Sequence, residues 1–311
     1  MRRFRIGLPL LPAALAAVLI AGCADDPACT TEPATTLAVR FPTGALPVVD
    51  ASLNGASVPM VIDTGASASF VTPQAVRRVG LHVSKTKDIT GYGAGGPTKS
   101  PTAEISDLRL GPHVQGRIRM PVTSLTDGAT ARQVYLGGVL GNNILGRFDL
   151  DLDLPRSRIT MTPTTSCTRA PAVAPASATA PRPIRYRRAV TGSPEFPVTI
   201  DGIRVEAILD SGSTRTVMPR SLFDKSGLAA RASGPIATIG TLSAGGRLVP
   251  LRFYQLGDAR IGGIAWSQPV IGVGGDTGRI GDFLIVGNDF LRYHRVVIHR
   301  RSHTLVIHPE A

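Results

Sequence analysis

Leu53-Asn54-Gly55-Ala56-Ser57-Val58-Pro59-Met60-Val61-Ile62-Asp63 aligns without a gap with Ile200-Asp201-Gly202-Ile203-Arg204-Val205-Glu206-Ala207-Ile208-Leu209-Asp210, at a constant offset of 147 residues. Self-similarity at a fixed period means that one structural unit occurs twice, and this constrains the fold more than any other feature of the chain. Each copy reads as an alternating strand, an Asn-Gly or Asp-Gly turn of the kind that closes tight hairpins, and a second strand ending in an apolar pair and Asp. The Asp opens a turn in both: Asp63-Thr64-Gly65-Ala66-Ser67 and Asp210-Ser211-Gly212-Ser213-Thr214. Further on, Val139-Leu140-Gly141-Asn142-Asn143-Ile144-Leu145 matches Ile285-Val286-Gly287-Asn288-Asp289-Phe290-Leu291 at an offset of 146, so the duplication covers whole halves. The Gly-rich stretches 91–96 and 240–246 lie between the matched segments and read as hairpin tips.

Composition agrees with strands rather than helices. Gly 34 and Pro 25 make up about a fifth of the 311 residues, which argues against a helical bundle. With 43% hydrophobic and 18% charged residues the chain is apolar enough to fold. Short helices are expected only at 73–80 and 219–227, where a Pro can start and a Gly can stop one. Each half ends in strand-like alternation, at 149–161 and 295–308. The stretch 163–188, rich in Pro, Ala, Thr and Arg and without an acidic residue, reads as an extended linker. The chain therefore divides into a signal (1–22), a tether (23–35), lobe one (36–162), the linker (163–188) and lobe two (189–309).

Arg2, Arg3 and Arg5 precede an uncharged apolar run from Ile6 to Gly22, the pattern of a secretory signal. Pro9 and Pro12 leave that run short and broken for a membrane-spanning helix. Its end, Leu19-Ile20-Ala21-Gly22-Cys23, resembles the lipobox of bacterial lipoproteins, which implies acylation of Cys23 and an exported chain anchored by lipid to the cell envelope on its periplasmic or extracellular face. An ordinary cleaved signal with an incidental Cys23 is the alternative. In an oxidising compartment Cys29 and Cys167, at the two ends of lobe one, are candidates for a disulfide; two free thiols are the other possibility. The formal charge of +12 comes without a nucleic-acid-binding motif, so no nucleic-acid partner is expected.

An apolar strand ending in Asp brings a carboxylate into a partly buried place, which is expensive unless the group is paired or hydrogen-bonded. Two such residues at equivalent points of a duplicated fold can meet across a pseudo-twofold axis. At that distance they cannot both ionise, and a pair sharing one proton can serve as general base and general acid toward a water. Gly65 and Gly212 permit close backbone approach, and Thr64 and Ser211 each offer a hydroxyl.

With its two D[TS]G turns in register, each followed by an apolar-apolar-Gly segment, the chain resembles the aspartic protease superfamily, with retropepsin-like lobes joined in one chain as in pepsin-like enzymes. The resemblance rests on IDTGAS, VLGNNIL, LDSGST and IVGNDFL and covers both lobes. It implies an all-β fold of two β-barrel lobes with a cleft between them, and an aspartic-type endopeptidase that activates water between Asp63 and Asp210. It further implies hydrogen bonds across the lobe interface from Thr64 and Ser211, with Gly65 and Gly212 supporting the site. Leu140-Gly141 and Val286-Gly287 would pack beside the turns. The substrate would be a polypeptide, the molecule a monomer that is its own pseudo-dimer, and neither metal nor cofactor is needed. Tyr92, in the first Gly-rich tip, is a flap candidate; residues 241 and 242 offer no counterpart.

Two other classes compete. Actin and sugar-kinase type ATPases carry a duplicated D-x-G-x-[ST] turn, but need helices packed on their sheets, and lobes of about 125 residues with few helical stretches do not supply them. A non-enzymatic envelope lipoprotein that keeps the fold as a binding module remains the alternative, since fold does not guarantee activity. His294, His299, His303 and His308 are expected to be solvated rather than metal ligands. Asp149, Asp151 and Asp153 share one strand face, expected to meet solvent, with calcium as the alternative. The five arginines between Arg169 and Arg188 read as part of a solvated linker or as a contact to an anionic membrane surface. Trp266 reads as core.

Overall fold

Both copies of the hairpin turn fold as their residues require. In the computed structural model, which describes residues 32–93, 96–125, 134–164, 181–242, 248–275 and 281–309, Asn54 and Gly55 have φ of 50° and 84°, and Asp201 and Gly202 of 51° and 76°. Two consecutive positive φ values give the tight turn whose twist matches its flanking strands. The turns join Val48–Leu53 to Ala56–Ile62 and Pro194–Ile200 to Ile203–Leu209. Their side chains also shape the next strand. Asn54 Oδ1 accepts from the N–H groups of Ser106 (2.9 Å) and Asp107 (3.1 Å), where the strand Gly96–Leu110 shifts register. Asp201 Oδ2 accepts from the N–H of Gly257 at 3.1 Å, between Leu248–Gln255 and Ala259–Ile261. One long bulged strand in lobe one is thus two strands in lobe two.

The molecule is an all-β, two-lobed structure. In both lobes the strand that ends in Asp pairs in parallel with the segment that carries the duplicated Gly: Ala56–Ile62 with Gly138–Leu140, and Ile203–Leu209 with Leu284–Val286. The two expected helices are present. Pro73–Val79 is capped by Thr72, whose Oγ1 accepts from the N–H of Ala75 at 3.2 Å, and ends at Gly80 in the left-handed region. Its counterpart Arg220–Ser226 begins one residue after Pro219 and ends at Gly227. Two further single-turn helices, Asn142–Leu145 and Asn288–Leu291, follow the duplicated glycines. Four residues carry too little periodicity to announce a helix in sequence.

A six-stranded sheet joins the lobes, in the order Thr35–Ala38, Arg158–Pro163, Phe148–Asp153, Arg295–His299, Thr304–His308, Ile184–Arg185. Its centre is the antiparallel pairing of Phe148–Asp153 from lobe one with Arg295–His299 from lobe two. Leu150, Leu152, Ile159, Met161, Val296, Ile298, Leu305 and Ile307 line its buried face and belong to one apolar core running through both lobes. Both ends of the stretch read as linker are taken into sheet structure. Pro163 closes a strand, Ile184–Arg185 pairs with the C-terminal strand, Arg187–Arg188 pairs with the start of Pro194–Ile200, and Tyr186 is buried.

This sheet corrects two surface expectations. Asp153 is buried and bound by Arg156 and Arg158, while Asp151 takes a two-pronged contact from Arg295 at 2.8 and 2.6 Å. The strand face expected to meet solvent instead meets arginines, and the Asp151 pairing needs the strand from the other lobe. His294 stacks on Phe290 with ring centroids 4.0 Å apart, and His299 lies 3.5 Å from Asp149, so neither is simply solvated. Trp266 is half-buried, its ring 5.1 Å from that of Phe290. Cys23, Cys29 and Cys167 lie outside the described residues. Among the described residues no helix is long and apolar enough to cross a membrane.

Candidate active site

Asp63 and Asp210 are held by the same backbone bond in each lobe: the Asp63 N–H donates to the Leu140 carbonyl and the Asp210 N–H to the Val286 carbonyl, both at 3.0 Å. One residue further, the lobes grip each other. Thr64 and Ser211 are fully buried. Thr64 Oγ1 donates to the Leu209 carbonyl at 2.9 Å and accepts from the Ser211 N–H at 3.1 Å. Ser211 Oγ donates to the Ile62 carbonyl at 2.7 Å and accepts from the Thr64 N–H at 3.1 Å. Each hydroxyl thereby fixes the residue before and the residue after the other lobe's Asp. Hydrogen bonds of this kind contribute roughly 0.5–1.5 kcal/mol each, but a buried group left without its partner costs about 1–3 kcal/mol, so the four act as a latch.

The glycines answer to the opposite lobe. A Cβ on Gly65 would stand 2.3 Å from Cγ of Asp210, and one on Gly212 would stand 2.3 Å from Cγ of Asp63. Side chains at these positions would push the two carboxyl groups out of the site. Instead each carboxyl group lies against the opposite lobe's glycine, close enough to the other for each to shift the other's pKa. Asp63 Oδ1 also accepts from the N–H groups of Gly65 (2.9 Å) and Ala66 (2.8 Å), and Asp210 Oδ1 from the N–H of Gly212 (2.8 Å).

These contacts separate the two acids electrostatically. Burial raises the pKa of Asp63 above the ordinary carboxylate range, while the hydrogen bond from Asp210 and those from the backbone pull it back. Asp210 is raised well above that range, first by burial, then by the Asp63 charge and by the hydrogen bond the two share. Two raised carboxyl groups this close favour one shared proton over two charges.

Behind each turn sits a layer of polar side chains that the sequence reading did not assign. Asn142 Nδ2 donates to the carbonyls of Thr64 (2.8 Å) and Ala66 (3.1 Å), and Asn288 Nδ2 to the carbonyl of Ser211 (2.7 Å). Asn143 Oδ1 accepts from the N–H and Oγ of Ser69 at 2.8 and 2.7 Å. At the equivalent place Asp289 accepts from the N–H and Oγ1 of Thr216, at 2.9 and 2.7 Å. Both hydroxyls then accept from the duplicated glycine: Gly141 N–H to Ser69 at 2.9 Å and Gly287 N–H to Thr216 at 3.1 Å. The signal was present, because Gly141-Asn142-Asn143 and Gly287-Asn288-Asp289 are matching polar breaks between apolar pairs in the two halves. Tyr92 lies in the strand His82–Gly93, opposite Pro97, and its side chain lies outside the described residues.

Fold and site together define a single-chain, two-lobed protein with a carboxyl pair assembled from equivalent turns of both lobes. The chain belongs to the aspartyl protease family, whose model matches it twice, over residues 49–147 and 196–290. Each match spans one hairpin, its Asp turn and the following Gly-Asn segment. No curated protein matches the chain.

Proposed function

We propose that the protein is an endopeptidase in which Asp63 and Asp210 activate water to hydrolyse a peptide bond of a polypeptide substrate. The observation that carries this reading is the meeting of two half-buried carboxyl groups from equivalent turns of the two lobes, both with raised pKa. Ionised Asp63 takes a proton from water as its oxygen attacks the carbonyl carbon, while Asp210 gives its proton to the carbonyl oxygen. Collapse of the resulting diol breaks the C–N bond. A proton passes from the acid to the leaving nitrogen, and the remaining hydroxyl proton returns to the pair, restoring one proton on two carboxyls. No metal or redox step enters this scheme.

The test is turnover of a broad peptide library by wild type, Asp63→Asn and Asp210→Asn across a range of pH. Loss of either acid is expected to lower turnover by about 10²–10⁴-fold or more with the fold retained, because neither acid alone supplies both base and acid. Activity is expected to fall as pH rises through the upper pKa of the pair, where the shared proton leaves. Wild-type turnover in either variant overturns the dyad. Peptide binding without cleavage by wild type replaces the enzyme with a binding module.

The location of the protein follows from its first residues. The Arg-led apolar run and the Leu19–Cys23 segment support export and acylation at Cys23, leaving the lobes outside the cytoplasm on a lipid anchor. Cys23→Ser is expected to release the protein from the membrane fraction, and unchanged retention refutes the anchor. In that compartment Cys29 and Cys167 pair as a disulfide; two alkylatable thiols in the purified protein would exclude it.

A further inference from the structure

A cavity of about 240 Å³, lined by Arg300 and its neighbours, contains neither Asp63 nor Asp210 in its wall. At roughly 30 Å³ per water, that is room for several water molecules or a small solvated ion. Asn142 separates it from the dyad: the Asn142 amide nitrogen faces the Thr64 carbonyl, and its oxygen accepts from Arg300 Nη2 at 2.9 Å. The wall is built by turns at the ends of the inter-lobe sheet and by the strand Arg187–Arg188. Arg188, Arg300, Arg301, His303 and Tyr186 line it.

The charges around this cavity do not balance. Four arginines of the neighbouring strands and turns are neutralised: Arg156 and Arg158 by Asp153, Arg187 by Glu195, Arg295 by Asp151. Arg188, Arg300 and Arg301 have no carboxylate partner among the described residues. Arg300 donates through Nη1 to the Gly192 carbonyl at 2.8 Å and through Nη2 to Asn142, both uncharged acceptors, and its Nε is buried without a partner. The carboxylate beside it, Asp149, is occupied by the Arg300 main-chain N–H at 2.6 Å and faces the His299 ring. Burial already weakens the hold of Arg300 on its proton. A half-buried guanidinium with no carboxylate against it, beside two further unpaired arginines, is a costly arrangement that a bound anion would offset.

We propose that this cavity binds a phosphate-type oxyanion, held by the exposed guanidinium groups of Arg188 and Arg301 with the charge of Arg300 behind them. Three cations around one cavity favour a doubly charged tetrahedral anion over chloride or a single carboxylate, and forked N–H donors match its oxygens. The site is independent of the catalytic reading, because its wall includes neither acid.

Calorimetric titration of the full chain with inorganic phosphate at constant ionic strength, beside acetate and chloride, tests this. Phosphate is expected to bind at millimolar concentration or below, with acetate and chloride giving no comparable heat. The double variant Arg188→Gln/Arg301→Gln removes two exposed side chains and is expected to keep the wild-type melting temperature in phosphate-free buffer while binding phosphate at least about tenfold more weakly. Asp63→Asn, which disables the proposed chemistry, is expected to bind phosphate as wild type does. Phosphate heats no larger than those of chloride, or equal affinity in the double variant, overturn the site.

Discussion

In lobe one the Asn142 side chain bridges the Thr64 carbonyl and the Arg300 guanidinium, and Ser193 adds a second donor to that carbonyl at 2.6 Å. In lobe two Asn288 donates to the Ser211 carbonyl, and its Oδ1 is buried with no partner. The latch hydroxyls and the backbone bond behind each Asp are the same in both lobes, although Asp63 Oδ1 accepts one more backbone N–H than Asp210 Oδ1; the layer further out differs more. Both extra supports of the first turn, Ser193 and Arg300, come from the second half of the chain. A symmetric dimer could not make this distinction, because both copies would carry the same residue. Fusion in one chain lets the second half specialise in bracing the first.

Pairs of equivalent substitutions probe where that symmetry holds and where it ends. The largest effects are expected from Gly65→Ala and Gly212→Ala, since either Cβ would stand 2.3 Å from the opposite carboxyl carbon. Each is expected to lower kcat/KM by about 10²–10⁴-fold, the scale of losing acid–base catalysis. Similar losses in peptide assays mark the dyad as jointly held, while a variant with near wild-type turnover breaks the equivalence of the two glycines.

Thr64→Val and Ser211→Ala come next. Each removes a hydroxyl that donates once and accepts once across the interface, leaving a buried carbonyl and a buried N–H unmatched. Urea denaturation is expected to show a loss of about 2–4 kcal/mol in both. A loss under about 0.5 kcal/mol in either shows that its half of the latch is not a stabilising contact.

Asn142→Asp and Asn288→Asp sharpen the difference. Both lose the donor to the turn carbonyl, but a carboxylate at 142 meets Arg300 and one at 288 meets no cation among the described residues. The variant at 288 is expected to be less stable than the variant at 142 by about 1–3 kcal/mol at neutral pH. Equal stabilities would mean that Arg300 does not set lobe one apart.

The smallest effect concerns Asp289, the carboxyl counterpart of Asn143. Burial raises its pKa above the ordinary 3.8, although bonds from Thr216 oppose the shift. A raised carboxyl binds its proton more tightly in the folded than in the unfolded chain. Its contribution is therefore fully present below about 3.8 and is lost as pH rises through the native value. Asp289→Asn, which copies lobe one, is expected to remove this contribution, so that stability declines less with rising pH than in wild type. Parallel stability–pH curves would show that Asp289 is not the group responsible.

The duplication, the all-β character, the two Asp-hydroxyl-Gly turns and the two short helices with their Gly stops are legible in the residues alone. These are local matters. A strand shows its period of two, a tight turn needs residues that tolerate positive φ, and an acid at the end of an apolar strand needs a partner. Long-range packing, by contrast, decided that Phe148–Asp153 pairs with Arg295–His299, that Asp153 is buried between arginines, and that each glycine makes room for the other lobe's acid. It also decided that Arg300, 158 residues away in the chain, braces Asn142. The side chains concerned carry no local sign of these partners, because strands from distant parts of the chain are brought together by burial of a common apolar face, and the polar contacts are settled only once that face has closed.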